Sequence, residues 1–258
     1  MKRLLPLVLV ICAAIGCTPK HNLEIRLKGF HNDTLILGVM PLSDYIVNNY
    51  DNMQTQTLVA QDGVIKTNIP TDDSAKYFQL IATQLSVREG GMSLPTPAGI
   101  IRNFITSNDK ISMEVTPFDK HIEVAVKRGS RANRDIADVR NQYRKLAVDY
   151  FALLIGDKGQ QLSRVERGVA IQNSLNAMDN ALIESIKSNP DRVSSLFLLF
   201  NLTLLPDDFV NHIEHLKPTL LSHEWADVNA LYEKTKVSCI VRSKATKMID
   251  ENGAAFDF

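Results

Sequence analysis

The chain has 258 residues, 29 basic and 29 acidic side chains, and no formal net charge. A protein without an excess of positive charge lacks the electrostatic footprint of a nucleic-acid binder, so we expect no nucleic-acid partner. Its length and its 45% hydrophobic residues suffice for one large domain or two small ones with a packed core.

The first residues have the pattern of a secretory signal. Two basic residues precede an apolar run, Leu4–Ile15, that is shorter than the roughly 20 residues needed to span a bilayer. The run ends in AIGC, which resembles a bacterial lipobox and implies cleavage before Cys17 and lipid on its thiol. We therefore predict a lipoprotein signal peptide over residues 1–16 and a lipidated Cys17 that begins a tether over residues 17–22. The alternative is an ordinary signal peptide with a chance cysteine.

Three cysteines are present, and only one of them lies beyond the lipobox. Cys12 belongs to the signal and Cys17 is the lipidation site, so Cys239 has no partner for a disulfide or a Cys-x-x-Cys redox pair. Cys239 lies in a helical pattern. We predict that it is a small apolar residue on a buried stripe rather than a reactive thiol.

Residues 23–128 are predicted to form an antiparallel β module, either a sandwich or a barrel-like sheet of about eight short strands. The first strand alternates Leu23, Ile25 and Leu27 with charged residues, which is the period of a half-buried strand. The further strand segments are TLILGVMP, TQTLVAQ, VIKTNIP, YFQLIAT, IIRNFIT, KISMEVT and HIEVAVK.

Turn signals separate these strands. QDG at 61–63 and SND at 107–109 each stand between alternating runs and predict tight hairpins. The Gly- and Pro-rich stretch 86–99 predicts a long loop, which is either a binding loop or a plain connection.

Residues 129–251 are predicted to form an all-helical module, so the chain as a whole has an α+β fold. Two long helices joined by a polar turn predict an antiparallel hairpin, and the second helix opens with a capping box of Ser163 and Glu166. The predicted buried stripes are Ile136, Val139, Tyr143, Ala147, Tyr150 and Leu154 in the first helix, and Val165, Gly168, Ile171, Leu175, Met178 and Leu182 in the second.

Three more helices are predicted in this module. SNPDRVSSLFLLFNL is expected to be capped by Asn189, with Pro190 at its first position, and to be buried on most sides. LPDDFVNHIEHL and Glu224–Glu251 are the last two.

Side chains able to support chemistry form no recognised catalytic motif. One sequence cluster contains His212, Glu214, His215, His223, Glu224 and Asp227. It would admit a metal, but histidines at the edge of a buried stripe explain it without one. The remaining candidates stand alone or in acidic pairs: His31, His121, Asp72-Asp73 and Asp207-Asp208. We therefore predict no catalytic residue, no cofactor and no metal site.

The order of these segments resembles the N-terminal accessory region of periplasmic thiol-disulfide lipoproteins of the AhpC/TSA, TlpA-like kind. The resemblance rests on AQDGVIKTNI, VAVKRGSRAN, SNPDRVSSLFLLFNL and ENGAAFDF. It implies a lipobox, a β domain of unknown function, a helical stretch and then a thioredoxin-like domain. Residues 252–258 would be a remnant of the entry into that domain, with Ala255 where the family mostly has proline, and we expect this tail to be poorly ordered or an orphan strand.

The resemblance places no redox residue on this chain, because the sequence has no Cys-x-x-Cys pair. We therefore expect a non-catalytic envelope lipoprotein that acts as a binding or interaction module, with a thioredoxin-like envelope protein as the expected partner. The alternative is a truncated or split thiol-disulfide oxidoreductase whose thioredoxin-like domain is missing or supplied by another chain. Thr18 after Cys17 matches the sorting pattern for the outer membrane, and we expect the protein to face the periplasm.

Overall fold

The computed structural model describes residues 21–30, 34–72, 74–82, 99–118, 121–189, 192–201 and 228–237. Within these ranges the chain has a mixed α+β fold with two four-stranded sheets, as the sequence predicts at that level. Several predictions lie outside the described residues: the signal and Cys17, the loop at 86–98, the histidine cluster at 212–227, Cys239 and the tail at 252–258.

The strands of both sheets lie where the alternation of apolar and polar residues predicts them. They are β1 (Leu23–Leu27), β2 (Thr34–Pro41), β3 (Gln54–Val59), β4 (Val64–Thr67), β5 (Lys76–Ala82), β6 (Ile100–Ile105), β7 (Ile111–Phe118) and β8 (His121–Arg128). The first sheet has the order β4-β1-β7-β8, and the second has the order β3-β2-β5-β6.

The prediction of a purely antiparallel module is wrong at one pair of strands. β1 runs parallel to β7, with Leu23 opposite Ile111 and Leu27 opposite Val115. Parallel neighbours need a long crossover connection, and here all four strands of the second sheet lie between them in the chain. Turn signals describe only consecutive strands, so the sequence pattern does not show this pairing.

Both predicted turns form, but they do not join hairpins. Asp62 and Gly63 have φ angles of 51° and 72°, and Gln61 and Val64 exchange two backbone hydrogen bonds of 2.9 Å. This is the geometry that an Asp-Gly turn favours. The strands on either side nevertheless belong to different sheets, as do β6 and β7 around the turn at 107–109. The chain changes sheets at these turns, and local alternation does not distinguish that from a hairpin.

The described helices are α1 (Leu42–Ile46), α2 (Arg131–Leu154), α3 (Asp157–Gln160), α4 (Arg164–Ser188) and α5 (Val193–Phe200), and residues 228–237 are also helical. Helix α1 and the 3-10 turn that follows it at Tyr50–Asn52 were not predicted, because five residues are too few to show a helical period.

Helices α2 and α4 form the predicted antiparallel hairpin. Arg167, in the first turn of α4, donates hydrogen bonds to the carbonyl oxygens of Leu153 and Leu154 at the end of α2. The predicted capping box is also present, because the Ser163 hydroxyl accepts from the Glu166 backbone N–H and the Glu166 carboxylate accepts from that of Ser163.

Replacing Ser163 with alanine is expected to lower the free energy of unfolding by about 0.5–1 kcal/mol, because the N–H of Glu166 loses its acceptor. Urea denaturation of the purified protein measures this loss. Ser188→Ala, at the exposed other end of the same helix, should change stability by less than about 0.5 kcal/mol. Equal effects of the two substitutions would contradict a stabilising role for the cap.

The buried stripe predicted for α4 is correct only in its second half. Met178 and Leu182 are buried, whereas Val165 is 76% exposed and Gly168 is also exposed. The period of apolar residues identifies the face of a helix. The tertiary neighbours determine which turns of that face are covered. The period of apolar residues carries no information about these neighbours.

Asn189 caps a different helix from the one predicted. It is the C-terminal cap of α4, and its side chain donates to the carbonyl oxygen of Ser185 at 3.0 Å. Helix α5 begins at Val193 with Arg192 at its N-cap and no capping side chain. Its predicted burial is confirmed, since residues 193–199 are all buried.

Two buried clusters organise the packing. The first takes residues from both sheets, including Leu23, Leu37 and Phe78. The second joins the second sheet to the helices and includes Tyr77 and Phe197. Because Tyr77 and Phe78 are consecutive in a strand, they point to opposite faces. The helices therefore cover the face of the second sheet that points away from the first sheet.

Helix α2 also lies along the edge strands β6 and β8. Asn133 donates to the carbonyl oxygen of Phe104 in β6 at 2.9 Å. The Asn141 amide pairs with both the N–H and the C=O of Val124 in β8, at 2.8 and 2.9 Å. An edge strand left open is a template for pairing with another chain. The side chains of α2 close these edges.

Candidate functional site

Most residues that the sequence marks as candidates lie outside the described part of the chain. They are Cys17, His31, Asp73, Asp207, Asp208, His212, Glu214, His215, His223, Glu224, Asp227 and Cys239. Among the described residues, no three His, Cys, Asp or Glu side chains are placed to hold a metal ion.

Two of the sequence candidates are described, and the structure does not bring them together. His121 is 5% exposed in β8, and its ring contacts that of Phe118 at 5.3 Å between centroids. Asp72 accepts hydrogen bonds from Lys76 and Ser74, which lower its pKa to about 2. These contacts indicate a packed histidine and a turn carboxylate.

The structure instead reveals three arginines that the sequence analysis did not single out. Arg140 and Arg144 lie one turn apart in α2 and are 3% and 1% exposed, and Arg102 is partly exposed in β6. Taking a guanidinium out of water costs several kcal/mol, about 3 or more, unless it is paired and hydrogen-bonded. The partners of these three groups therefore show what each one does.

Each of the three guanidinium nitrogens of Arg144 donates a hydrogen bond within the fold. Its Nε donates to the carbonyl oxygen of Ile122 at 3.0 Å, and Nη1 donates to that of Ile100 at 3.3 Å. Its Nη2 donates to the Asn141 side chain at 2.5 Å. Burial lowers the pKa of Arg144, and the charge of Arg140 lowers it further. Because Ile100 belongs to β6 and Ile122 to β8, this guanidinium joins an edge of each sheet.

The side chains of Arg140 and Arg102 lack such hydrogen-bond partners. The Nε of each is buried and has no hydrogen-bond partner. Among the described residues, neither side chain forms a hydrogen bond or an ion pair with a carboxylate. The guanidinium carbon of Arg140 lies 4.8 Å from the ring centroid of Tyr143, a cation–π contact. Burial lowers the pKa of Arg140, and Arg102 adds to this effect. Guanidinium groups nevertheless stay protonated in proteins.

Arg102 lies on the helix-facing side of the second sheet, beside a stack of phenol rings. It is directly opposite Gln79 in the β5–β6 register, which places both side chains on one face. Tyr77 shares that face, and its hydroxyl donates a hydrogen bond to Gln79 Oε1 at 3.2 Å. Tyr45 of α1 stacks on Tyr77, with ring centroids 3.7 Å apart and planes within 8°.

Tyr50 connects this group to the surface. It is 48% exposed, and its ring meets that of Tyr45 edge-on at 6.3 Å. Burial and Tyr45 raise its pKa, whereas the nearby charge of Arg102 lowers it. Burial opposes the charged form of Arg102, but Tyr45, Tyr77 and Tyr50 outweigh it and raise the pKa of Arg102.

We call these residues the arginine–tyrosine cluster: Tyr45, Tyr50, Tyr77, Arg102, Arg140 and Tyr143. Its members come from α1, the 3-10 turn, β5, β6 and α2. It contains two cations and no acidic side chain, so it is chemically suited to hold an anion between guanidinium groups and aromatic rings.

A small apolar cavity lies on the α5 side of Tyr45. Its lining residues are Leu42, Tyr45, Ile46, Phe104, Val193, Leu196, Phe197 and Leu231. Cavities lined by such side chains stay dry. It adds apolar surface beside the cluster and offers almost no polar group of its own.

A signal for the buried arginines is present in the sequence. Asn133, Ala137, Arg140, Arg144 and Ala147 follow one another at spacings of four, three, four and three. Such a spacing describes a stripe on one helix face, and all five residues are buried. The spacing alone does not predict burial of the two arginines, because arginine is mostly an exposed residue. The predicted apolar stripe of α2 lies beside it and shares Ala147 with it.

No protein-family model, curated protein or solved structure matches this chain. In the part of the chain that the structure describes, no helix is both long enough and apolar enough to cross a membrane.

Proposed function

We propose that this chain is a non-catalytic binding module of the bacterial cell envelope and that its ligand is negatively charged. The proposal rests on the buried Nε atoms of Arg102 and Arg140, which have no hydrogen-bond partner. Leaving a buried donor unpaired costs about 1–3 kcal/mol, and more when the group is charged. An anion that pairs with both groups would remove this cost on binding.

Calorimetric titration of the purified protein with acetate, phenylacetate and inorganic phosphate tests this proposal. At least one of these anions should bind, and Arg140→Gln should weaken its binding. Arg131→Gln is the matched control, because it removes the same charge from an exposed position on the same helix. If none of the three anions binds, the proposed function is wrong.

For the fold of the binding module, we propose a β-sandwich whose open side is covered by α2. One buried cluster takes side chains from both sheets, which supports two facing layers. The contacts of Arg144 with Ile100 in β6 and Ile122 in β8 support a helix along one open side.

We propose lipid attachment at Cys17 and a place in the outer membrane, facing the periplasm. Support comes from the sequence alone: an apolar run after two basic residues, the AIGC segment and Thr18 after the cysteine. A protein held there by acyl chains would have a stable anchor, since each buried methylene contributes about 0.8 kcal/mol.

Replacing Cys17 with alanine is expected to move the protein from the membrane pellet into the soluble fraction. It should also abolish labelling by radioactive palmitate, because the acceptor thiol is gone. Cys239→Ala should leave both the location and the labelling unchanged. A labelled, membrane-bound Cys17→Ala protein would refute the anchor.

As partner we propose a thioredoxin-like protein of the envelope, which follows from the resemblance described above. One of the motifs that carry the resemblance contains Gly129, Ser130 and Asn133, and it forms a compact exit from β8 into α2. Gly129 has a φ of 154°, and Ser130 and Asn133 form a capping box. The alternative function, a split thiol-disulfide oxidoreductase, requires the same partner. Co-purification from solubilised envelope followed by an insulin-reduction assay distinguishes the binding module from the split enzyme. Only a split enzyme should reduce insulin in the captured complex.

A further inference from the structure

The arginine–tyrosine cluster combines free guanidinium edges with a wall of phenol rings. The Nε–H of a guanidinium and a neighbouring Nη–H form a fork that matches the two oxygens of a carboxylate. In Arg144 the Nε is occupied by a backbone carbonyl. In Arg102 and Arg140 the Nε is free among the described residues. The cluster therefore presents two edges of the kind that carboxylates recognise.

Two of the four phenol hydroxyls of the cluster already have hydrogen-bond acceptors in the fold. Tyr77 already donates its proton to Gln79 Oε1, and Tyr45 donates its proton to Asn201 Oδ1 at 3.0 Å. A phosphate dianion needs donors to many oxygen lone pairs when it leaves water. The fork of a guanidinium edge matches the two oxygens of a planar carboxylate, so these two edges suit a planar monoanion better.

The rings define what lies next to the charged group of a ligand. Tyr45 stacks on Tyr77, which leaves no room for a third ring between them at a separation of 3.7 Å. Tyr50 is nearly half exposed at the outer end of the cluster. An apolar group attached to the bound anion therefore meets Tyr50 as it enters.

We infer that the ligand is a carboxylate with an apolar or aromatic body, held by Arg140 and Arg102 and covered by Tyr50. This inference rests on the proposed function, because it names the class of anion that the same cluster takes. It predicts an order of affinity among the three anions: phenylacetate binds most tightly, and acetate and inorganic phosphate bind more weakly.

Calorimetric titration with the three sodium salts tests this order. Burial of the phenyl ring contributes about 1.5–3 kcal/mol, so phenylacetate should bind at least about tenfold more tightly than acetate. Arg140→Gln should weaken phenylacetate binding by about 10–100-fold, since it removes charged hydrogen bonds. Arg131→Gln should not change it. Tyr50→Ala should weaken phenylacetate by about 2–10-fold and leave acetate unchanged.

The outcomes that overturn the inference separate it from the proposed function. Tighter binding of phosphate than of phenylacetate, with loss of phosphate binding in Arg140→Gln, overturns the carboxylate class but keeps the anion site. Phenylacetate binding that is indifferent to Arg140→Gln overturns the site. Absence of binding by all three anions overturns both. If circular dichroism shows that Arg140→Gln is unfolded, Arg102→Gln at a partly exposed position gives the same test.

Discussion

Replacing Arg144 with methionine is expected to lower the free energy of unfolding by about 3–4 kcal/mol. The substitution keeps most of the apolar volume but removes every donor to the carbonyl oxygens of Ile100 and Ile122 and to the Asn141 side chain. Buried acceptors left unpaired cost about 1–3 kcal/mol each, and such losses in one network do not add fully. For a chain of this size, the melting temperature should fall by roughly 6–16 °C.

Urea denaturation followed by circular dichroism measures the effect of Arg144→Met. Arg131→Met, on the exposed face of the same helix, is the control and should change stability by less than about 0.5 kcal/mol. A loss below about 1 kcal/mol for Arg144→Met would show that this guanidinium does not hold the two sheet edges to α2.

Replacing Arg140 with methionine is expected to raise the free energy of unfolding by about 1–3 kcal/mol. This guanidinium is 3% exposed and its Nε has no partner, so an apolar side chain of similar length removes the cost of burying an unpaired charge. The cation–π contact with Tyr143 is lost, which offsets about 0.5–2 kcal/mol of the gain. The same change should abolish binding of the ligand.

The measurement for Arg140→Met is urea denaturation in a buffer free of carboxylates and phosphate, so that no anion occupies the cluster. Arg144→Met in the same buffer is the informative comparison, because it removes the same group one helical turn away. If Arg140→Met lowers the free energy of unfolding by 1 kcal/mol or more, Arg140 stabilises the unliganded fold. That result would contradict a role of Arg140 in ligand binding alone.

The elements of this fold follow from local chemistry to a large extent. Alternation from Leu23 to Leu27, the Asp62-Gly63 turn and the Ser163–Glu166 capping box all lie where the sequence predicts them. Each depends on residues that are close in the chain. Pairing of β1 with β7 depends on residues about ninety positions apart, and no local period contains that information.

The candidate site was not predictable in the same way. Arg140 and Arg144 have the same residue type, the same helix face and similar burial, so their spacing marks both as buried. Only the tertiary partners distinguish them: backbone carbonyls of β6 and β8 for Arg144, and the phenols beside Arg102 for Arg140. A sequence pattern therefore indicates a buried arginine. The residues that contact it from other elements determine whether it stabilises the fold or is available to a ligand.

The proposed function rests on the contrast between Arg140 and Arg144. Arg144 donates a hydrogen bond from each of its three nitrogens to the protein, whereas the buried Nε of Arg140 has no described acceptor. Buried polar groups without a partner are rare in native proteins and mark candidate functional or strained sites.

The most direct test of this claim is the urea midpoint of the wild-type protein and of Arg140→Met, each with and without phenylacetate. At about ten times the dissociation constant, the ligand should stabilise the wild-type protein by about 1.4 kcal/mol. We predict that phenylacetate raises the wild-type midpoint and leaves that of Arg140→Met unchanged. An equal rise in both proteins, or no rise in the wild type, would contradict it.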